Sequence, residues 1–345
     1  MDKICVFCGV KPVKKNKEHV LPQWLLKMTG DPNRKVTFGF NYNSGKQIEF
    51  NWQSFTAPSC TDCNERYAKF EGKVKVIVEK LQNREEITGT EALLLLDWLD
   101  KVRIGLWINY YYLENNKSQI NPRLCIDNRI GKKDRFLQIH FLESKTNSSG
   151  LNAFGVETFV FQFNPSCFAL RINNVLLFNG SNDFLISKNC GFPYPDKIVS
   201  KENGTLELSD WRYDRKKYLE IDNLPLFKGV LTLMQPIQTE MQYESNYYND
   251  SYLVLNCLDR DKRIGNLFRV YNSDIISIDK IEDKLEYESV TGKEITILWQ
   301  MIAKVYYAQN VFLKRVETNN EIFAKAIKVN EKTIDFYESK NKNFA

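Results

Sequence analysis

The chain has 345 residues, enough for two or three domains and a sizeable core. Its 43% hydrophobic and 26% charged residues are the composition of a globular protein and exclude a disordered one. The formal net charge is only +5, but residues 1–80 hold 14 Lys/Arg against 8 Asp/Glu while the remainder holds 34 against 35. The basic surplus is therefore N-terminal, which fits a polyanionic partner there or a solvated basic face.

The start, MDKICVFCGV, lacks the apolar core of a secretory signal. The most apolar run, ALLLLDWLDKVRIGLWI, is broken by Asp97, Asp100, Lys101 and Arg103, too many charges for a bilayer span. A cytoplasmic protein with no membrane partner is expected, its eight cysteines reduced. Residues 1–73 are dense in Cys, Lys, Pro and Asn. Within them RKVTFGF and KQIEFNW flank Asn-Tyr-Asn-Ser-Gly, which predicts a hairpin. From Asn64 the apolar residues Tyr67, Phe70, Val74, Ile77 and Leu81 recur at helical spacing. A second helix is expected over about 90–114, opened by a capping box at Thr88 and Glu91. Residues 120–290 read as β-rich: RFLQIHFLE, FGVETFVFQF, CFALRI, VLLFN, DFLISK and SYLVLNCL. Asn173-Asn174 between FALRI and VLLF predicts a two-residue hairpin. Amphipathic helices are expected over roughly 293–316 and 319–340.

Cys5-x-x-Cys8 and Cys60-x-x-Cys63 share one spacing. A Cys-x-x-Cys turn aims two thiolates at one metal, and two such turns complete a tetrahedral structural Zn²⁺ site. Cys125, Cys167, Cys190 and Cys257 are scattered singly in apolar surroundings, as buried cysteines are. The rival reading of either motif, a redox pair, lacks the βαβ pattern it needs. Glu18-His19 follows the first knuckle, and a helix starting near Asn64 follows the second, with Glu71 two turns further on a similar face. A zinc ion would thus clamp an acid, a histidine, an amide and a second acid together from distant positions. Only two histidines are present, and His140, in an alternating strand, reads as structural.

The pattern C-x2-C, then Glu18-His19-Val-Leu-Pro-Gln-Trp-Leu, then C-x2-C-Asn64 and a following acid resembles the HNH nucleases of the ββα-metal fold, in their four-cysteine zinc variety. The resemblance covers roughly residues 5–73. It implies that His19 is the general base, that Glu18 is a ligand of a catalytic divalent ion, and that Asn64 orients the loop or touches that ion. The last position of the family motif is a helix-borne His, which this chain lacks before His140; Glu71 is the substitute candidate. Two metals are then implied: Zn²⁺ closed by Cys5, Cys8, Cys60 and Cys63, and Mg²⁺ or Mn²⁺ held by Glu18, Asn64 and Glu71.

The expected fold is α+β. It comprises an N-terminal zinc-stapled ββα-metal (HNH) domain over 1–85, a helical connector or neck over 86–118, and an α+β substrate- or partner-binding region over 119–345. That last region has a β-rich middle and C-terminal amphipathic helices. The expected function is metal-dependent endonucleolytic hydrolysis of DNA phosphodiester bonds, in a bacterial antiviral-defence or mobile-element setting. Lys11, Lys14, Lys15 and Lys17 are candidate phosphate contacts. A protein partner, an ATPase or a nucleic-acid-guided protein, would activate it. The alternatives are a non-catalytic zinc ribbon that binds nucleic acid or protein, and a nuclease subunit latent until a partner acts.

Overall fold

A computed structural model describes residues 4–12, 16–40, 46–113, 125–142, 150–201, 206–212, 229–238, 257–259, 261–271, 274–289, 294–315 and 321–342. In the N-terminal part, β1 (Asn16–His19) is followed by α1 (Gln23–Met28) and by the hairpin of β2 (Lys35–Phe40) and β3 (Gln47–Asn51). The turn expected at the tip of that hairpin, residues 41–45, lies outside the described residues. Then β4 (Thr56–Ser59) pairs antiparallel with β1, placing Glu18 opposite Ala57 and His19 opposite Thr56. Cys60 follows β4 as the N-cap of α2 (Thr61–Gln82). Two paired strands and a helix thus stand together, although 36 residues separate the strands in sequence.

The capping box forms as its residue types dictate. The Thr88 N–H donates to Glu91 Oε2 at 3.0 Å, and the Glu91 N–H to Thr88 Oγ1 at 3.2 Å. It opens α3 (Gly89–Leu113). Eleven further strands and three helices complete the body among the described residues. In chain order these are β5 (Arg135–Phe141), β6 (Leu151–Phe154), the short α4 (Phe159–Phe163), β7 (Cys167–Ile172) and β8 (Val175–Ser181). After them come β9 (Tyr194–Ser200), β10 (Leu206–Arg212), β11 (Leu231–Gln235), β12 (Cys257–Asp259), β13 (Ile264–Gly265), β14 (Phe268–Tyr271) and β15 (Asp274–Ser277). The chain ends in α5 (Glu294–Lys314) and α6 (Glu321–Lys342).

Seven of these strands form one antiparallel sheet in the order β15-β14-β11-β5-β8-β7-β6. Its alternating pattern splits the core in two. Leu137, Ile139, Leu177 and Leu233 point to the side of α2 and α3, whereas Phe136, Leu176, Phe178 and Met234 point to α5, against Met301, Val305 and Phe312. The mixed α+β composition is as expected. The expected neck, however, is the middle of the molecule: Leu95, Leu96, Trp98, Leu99 and Val102 are fully buried, in a core continuous from the head to the sheet.

Two of the expected strands differ. The run around FVFQF is helical (α4) because Thr158 caps it, its Oγ1 accepting from the Phe161 N–H at 3.0 Å, and because neighbouring elements surround it on more than one face. DFLISK is a turn leading into a 3₁₀ turn at Ser187–Cys190. Here the buried Asp134 carboxylate accepts from the Ile186 and Ser187 N–H groups at 2.9 and 2.6 Å and diverts them from strand pairing. Of SYLVLNCL, only Cys257-Leu258 is described, within β12. The Asn173-Asn174 hairpin forms, with Ile172 opposite Val175 and Asn173 at φ 53°.

The charges that interrupt the apolar run of α3 are accommodated rather than exposed. Asp100 is fully buried and accepts from Arg103 at 2.8 Å, from Arg135 of β5 at 3.1 Å and from the Gly131 N–H at 3.1 Å. Arg103 also bonds the Pro165 carbonyl at 2.9 Å and the Asn179 side chain of β8. Arg135 reaches Asp97 at 2.6 Å. One turn of α3 is thereby bolted to the two central strands of the sheet.

Candidate metal centre and active site

Cys5 and Cys8 lie on a turn closed by hydrogen bonds from the Gly9 N–H to the Cys5 carbonyl and from the Cys5 N–H to the Val10 carbonyl, both 2.9 Å. Gly9 sits at φ 74°, where a side chain would strain the turn. The Val6 N–H bonds the Pro58 carbonyl at 2.9 Å, which carries this knuckle onto β4 and thus onto Cys60 and Cys63 at the start of α2. All four sulfurs fall within 4.8 Å of one another, with Cys8 Sγ 3.9 Å from Cys60 Sγ. Thiolates about 2.3 Å from a zinc ion at the corners of a tetrahedron stand about 3.8 Å apart, so the four fit one Zn²⁺. Arg66 donates to Cys63 Sγ at 3.6 Å while the same nitrogen pairs with Asp127 at 2.5 Å. Cys125, Cys167 and Cys190 lie outside the cluster and are buried singly, as expected.

Alternation along β1 turns Glu18 inward and leaves Lys17 exposed. On α2, Cys63, Tyr67, Glu71 and Val74 share the buried face. The two acids named from sequence therefore do converge, but on a third residue that sequence reasoning passed over. Lys101 of α3 donates to Glu18 Oε1 at 2.8 Å, to Glu71 Oε1, and at 3.4 Å to the His19 carbonyl. Three oxygens face the three N–H bonds of one ammonium. The rings of Phe7 and Tyr67, centred 5.7 and 5.9 Å from Nζ, close the remaining sides. Lys101 is 1% exposed, Glu18 8% and Glu71 6%. Burial pushes the Glu71 carboxyl pKa up, Lys101 works against that rise, and the Glu18 charge adds to it. Burial disfavours the Lys101 charge, but Glu71 and Glu18 outweigh it and hold the pKa above the ordinary lysine value.

His19, at the end of β1, is half-buried. Its Nε2 lies 2.8 Å from Gln23 Nε2, and its ring also bonds the backbone of Gln53. An amide N–H can only donate, so Nε2 of the neutral ring accepts from Gln23 and Nδ1 carries the proton. Burial lowers the His19 pKa, with the Glu18 charge pulling the other way and Lys101 reinforcing the fall. The ring is therefore neutral in neutral solution. Asn64 lies in the first turn of α2, half-buried, its N–H bonded to the Cys60 carbonyl at 3.0 Å. Among the described residues no hydrogen bond joins its side chain to Glu18, His19 or Glu71.

The donor set of Glu18 and Glu71 is of the right chemistry for Mg²⁺ or Mn²⁺, but in this arrangement the ion does not fit. The space between the carboxylates holds an ammonium, and neither acid offers the open face through which a catalytic ion takes water and substrate. Of the four lysines near Glu18, Lys11 and Lys17 are exposed and Lys14 and Lys15 lie outside the described residues. The missed members of the site are Lys101, Gln23 and Gln53. For Lys101 a signal existed: a lone basic residue inside an apolar helix must meet acids from elsewhere. No helix among the described residues is long and apolar enough to cross a membrane. No family model, curated protein or solved structure matches this chain.

Proposed function

We propose that this chain is a zinc-stapled endonuclease of the HNH type, hydrolysing DNA phosphodiester bonds in a bacterial antiviral-defence or mobile-element setting. The observation that carries the reading is the convergence of Glu18-His19 and the helix-borne Glu71 beside a four-cysteine cluster. A non-catalytic zinc ribbon would need the cysteines but neither these acids nor a neutral, oriented imidazole.

In this reading His19 accepts a proton from water at Nε2 while that water's oxygen attacks phosphorus. The bond from phosphorus to the 3′ oxygen breaks, and the leaving oxygen takes a proton from solvent. The Gln53 backbone holds the ring in orientation. Gln23 has to release Nε2 for the water to reach it, since a neutral imidazole has a single lone pair and Gln23 uses it. A divalent ion, Mg²⁺ or Mn²⁺, would supply charge neutralisation at the phosphate once Glu18 and Glu71 are free to hold it. Two features thus favour a latent form of the same enzyme: the base is capped by Gln23, and the acids are engaged by Lys101. The activator would be a protein partner, an ATPase or a nucleic-acid-guided protein, docking on residues 119–345.

The test is incubation of the purified chain, alone and with bacterial lysate fractions, with plasmid DNA and Mg²⁺ or Mn²⁺. Nicking or linearisation is expected, lost by about 10²–10⁴-fold in His19→Ala with zinc content unchanged. Equal cutting by His19→Ala refutes the mechanism.

A further inference from the structure

We propose that Lys101 is a built-in cation that keeps the divalent ion out of the Glu18–Glu71 pair, and that α3 ties its position to the central sheet. The inference rests on the nuclease reading above, because it takes the two acids as the catalytic cation site.

Three observations carry it. The first is coordination: the Lys101 ammonium already receives oxygens from Glu18, Glu71 and the His19 carbonyl, the kind of oxygen set that a hard cation takes. The second is charge. Two carboxylates and one ammonium leave a single negative charge in a buried space, and a divalent ion placed beside the ammonium would meet a like charge at contact distance with no water between. Ion and ammonium are therefore alternatives. The third is mechanical. Asp97, Asp100 and Arg103, on the turns of α3 that carry Lys101, hold Arg135 of β5 and Asn179 of β8. A displacement of those strands moves α3, and with it the ammonium. A small, almost entirely apolar cavity lined by Val6, Phe7, Val20, Gly105 and Asn109 borders Glu18 and Lys101, and an ammonium gains no polar partner there, so the acids retain it. The same ion pairs hold α3, and with it the ammonium, in place between the acids.

The experiment is Mn²⁺ binding to the full, zinc-loaded chain, read by the electron paramagnetic resonance of free Mn²⁺ and by thermal shift. The variants are Lys101→Met, Lys101→Gln and Lys101→Met combined with Glu18→Gln. If the withdrawn state is populated at about 0.1–10%, removing the ammonium tightens Mn²⁺ binding by about 10- to 1,000-fold. The double variant loses that gain. Should the single variants be unfolded without metal, Mn²⁺ is expected to restore the fold, since it replaces the missing charge. Equal Mn²⁺ affinity in wild type and both single variants overturns the proposal, as does an unfolded variant that Mn²⁺ fails to rescue. A variant that binds Mn²⁺ at these acids yet cuts no DNA would instead overturn the nuclease reading and leave the exclusion by Lys101 standing.

Discussion

His140 offers a quantitative check on how the body is built. It is 1% exposed on β5, and burial first, then the charge of Lys304 on α5, pushes its pKa down to about 3. In the unfolded chain the same ring has a pKa of about 6.5. Because the folded value is depressed, the stabilising contribution is complete above the unfolded value and is lost as pH falls from about 6.5 toward 3. Between pH 7 and pH 5 the unfolded ring takes up about three-quarters of a proton and the folded ring almost none. The difference is a factor of about 25 in the unfolding equilibrium, or about 2 kcal/mol. Urea unfolding followed by tryptophan fluorescence at the two pH values measures it, in wild type and in His140→Gln. Wild type should lose about 2 kcal/mol more than the variant on acidification. Asp134, whose pKa burial raises to about 6, titrates in both proteins, so its contribution cancels in the comparison. Identical losses would show that His140 is charged or solvated in the fold, and that the packing of α5 on β5 is looser than described.

Elemental analysis should find one zinc per chain, lost in Cys60→Ser and retained when Cys125, Cys167, Cys190 or Cys257 is replaced. Asp100→Ala should cost about 3–5 kcal/mol in urea titrations, because it removes the buried charge that Arg103 and Arg135 share and leaves Arg103 with no acid. Glu79→Ala, which removes the exposed pair with Lys75, should cost under about 0.5 kcal/mol; equal losses would contradict the burial of the α3 network. Neutralising Lys11, Lys14, Lys15 and Lys17 together should weaken DNA binding and flatten the log–log salt slope by about 0.9 for each lysine that touches a phosphate. An unchanged slope would place the phosphate grip elsewhere on the chain.

What the sequence could determine is what depends on near neighbours. The Thr88–Glu91 box, the Asn173-Asn174 hairpin, the helical spacing from Tyr67 to Leu81 and the turn geometry of each Cys-x-x-Cys are all settled within a few residues, and each forms as its residue types require. Even Glu18 and Glu71 could be brought together on paper, since two knuckles sharing one metal imply their convergence. What lies between them could not. Lys101 is 83 residues from Glu18 and 30 from Glu71, and in a one-dimensional reading it is only a charge that spoils an apolar run. The same holds for Asp100 and Arg103, whose partners Arg135 and Asn179 come from two strands of the sheet. A buried charge is tolerable only where opposite charges and hydrogen-bonding groups from other elements surround it, and that surrounding exists only after the layers pack. Tertiary structure therefore decided that the connector is a core helix, that FVFQF is helical, and that the cation facing the two acids is an ammonium carried by the chain itself.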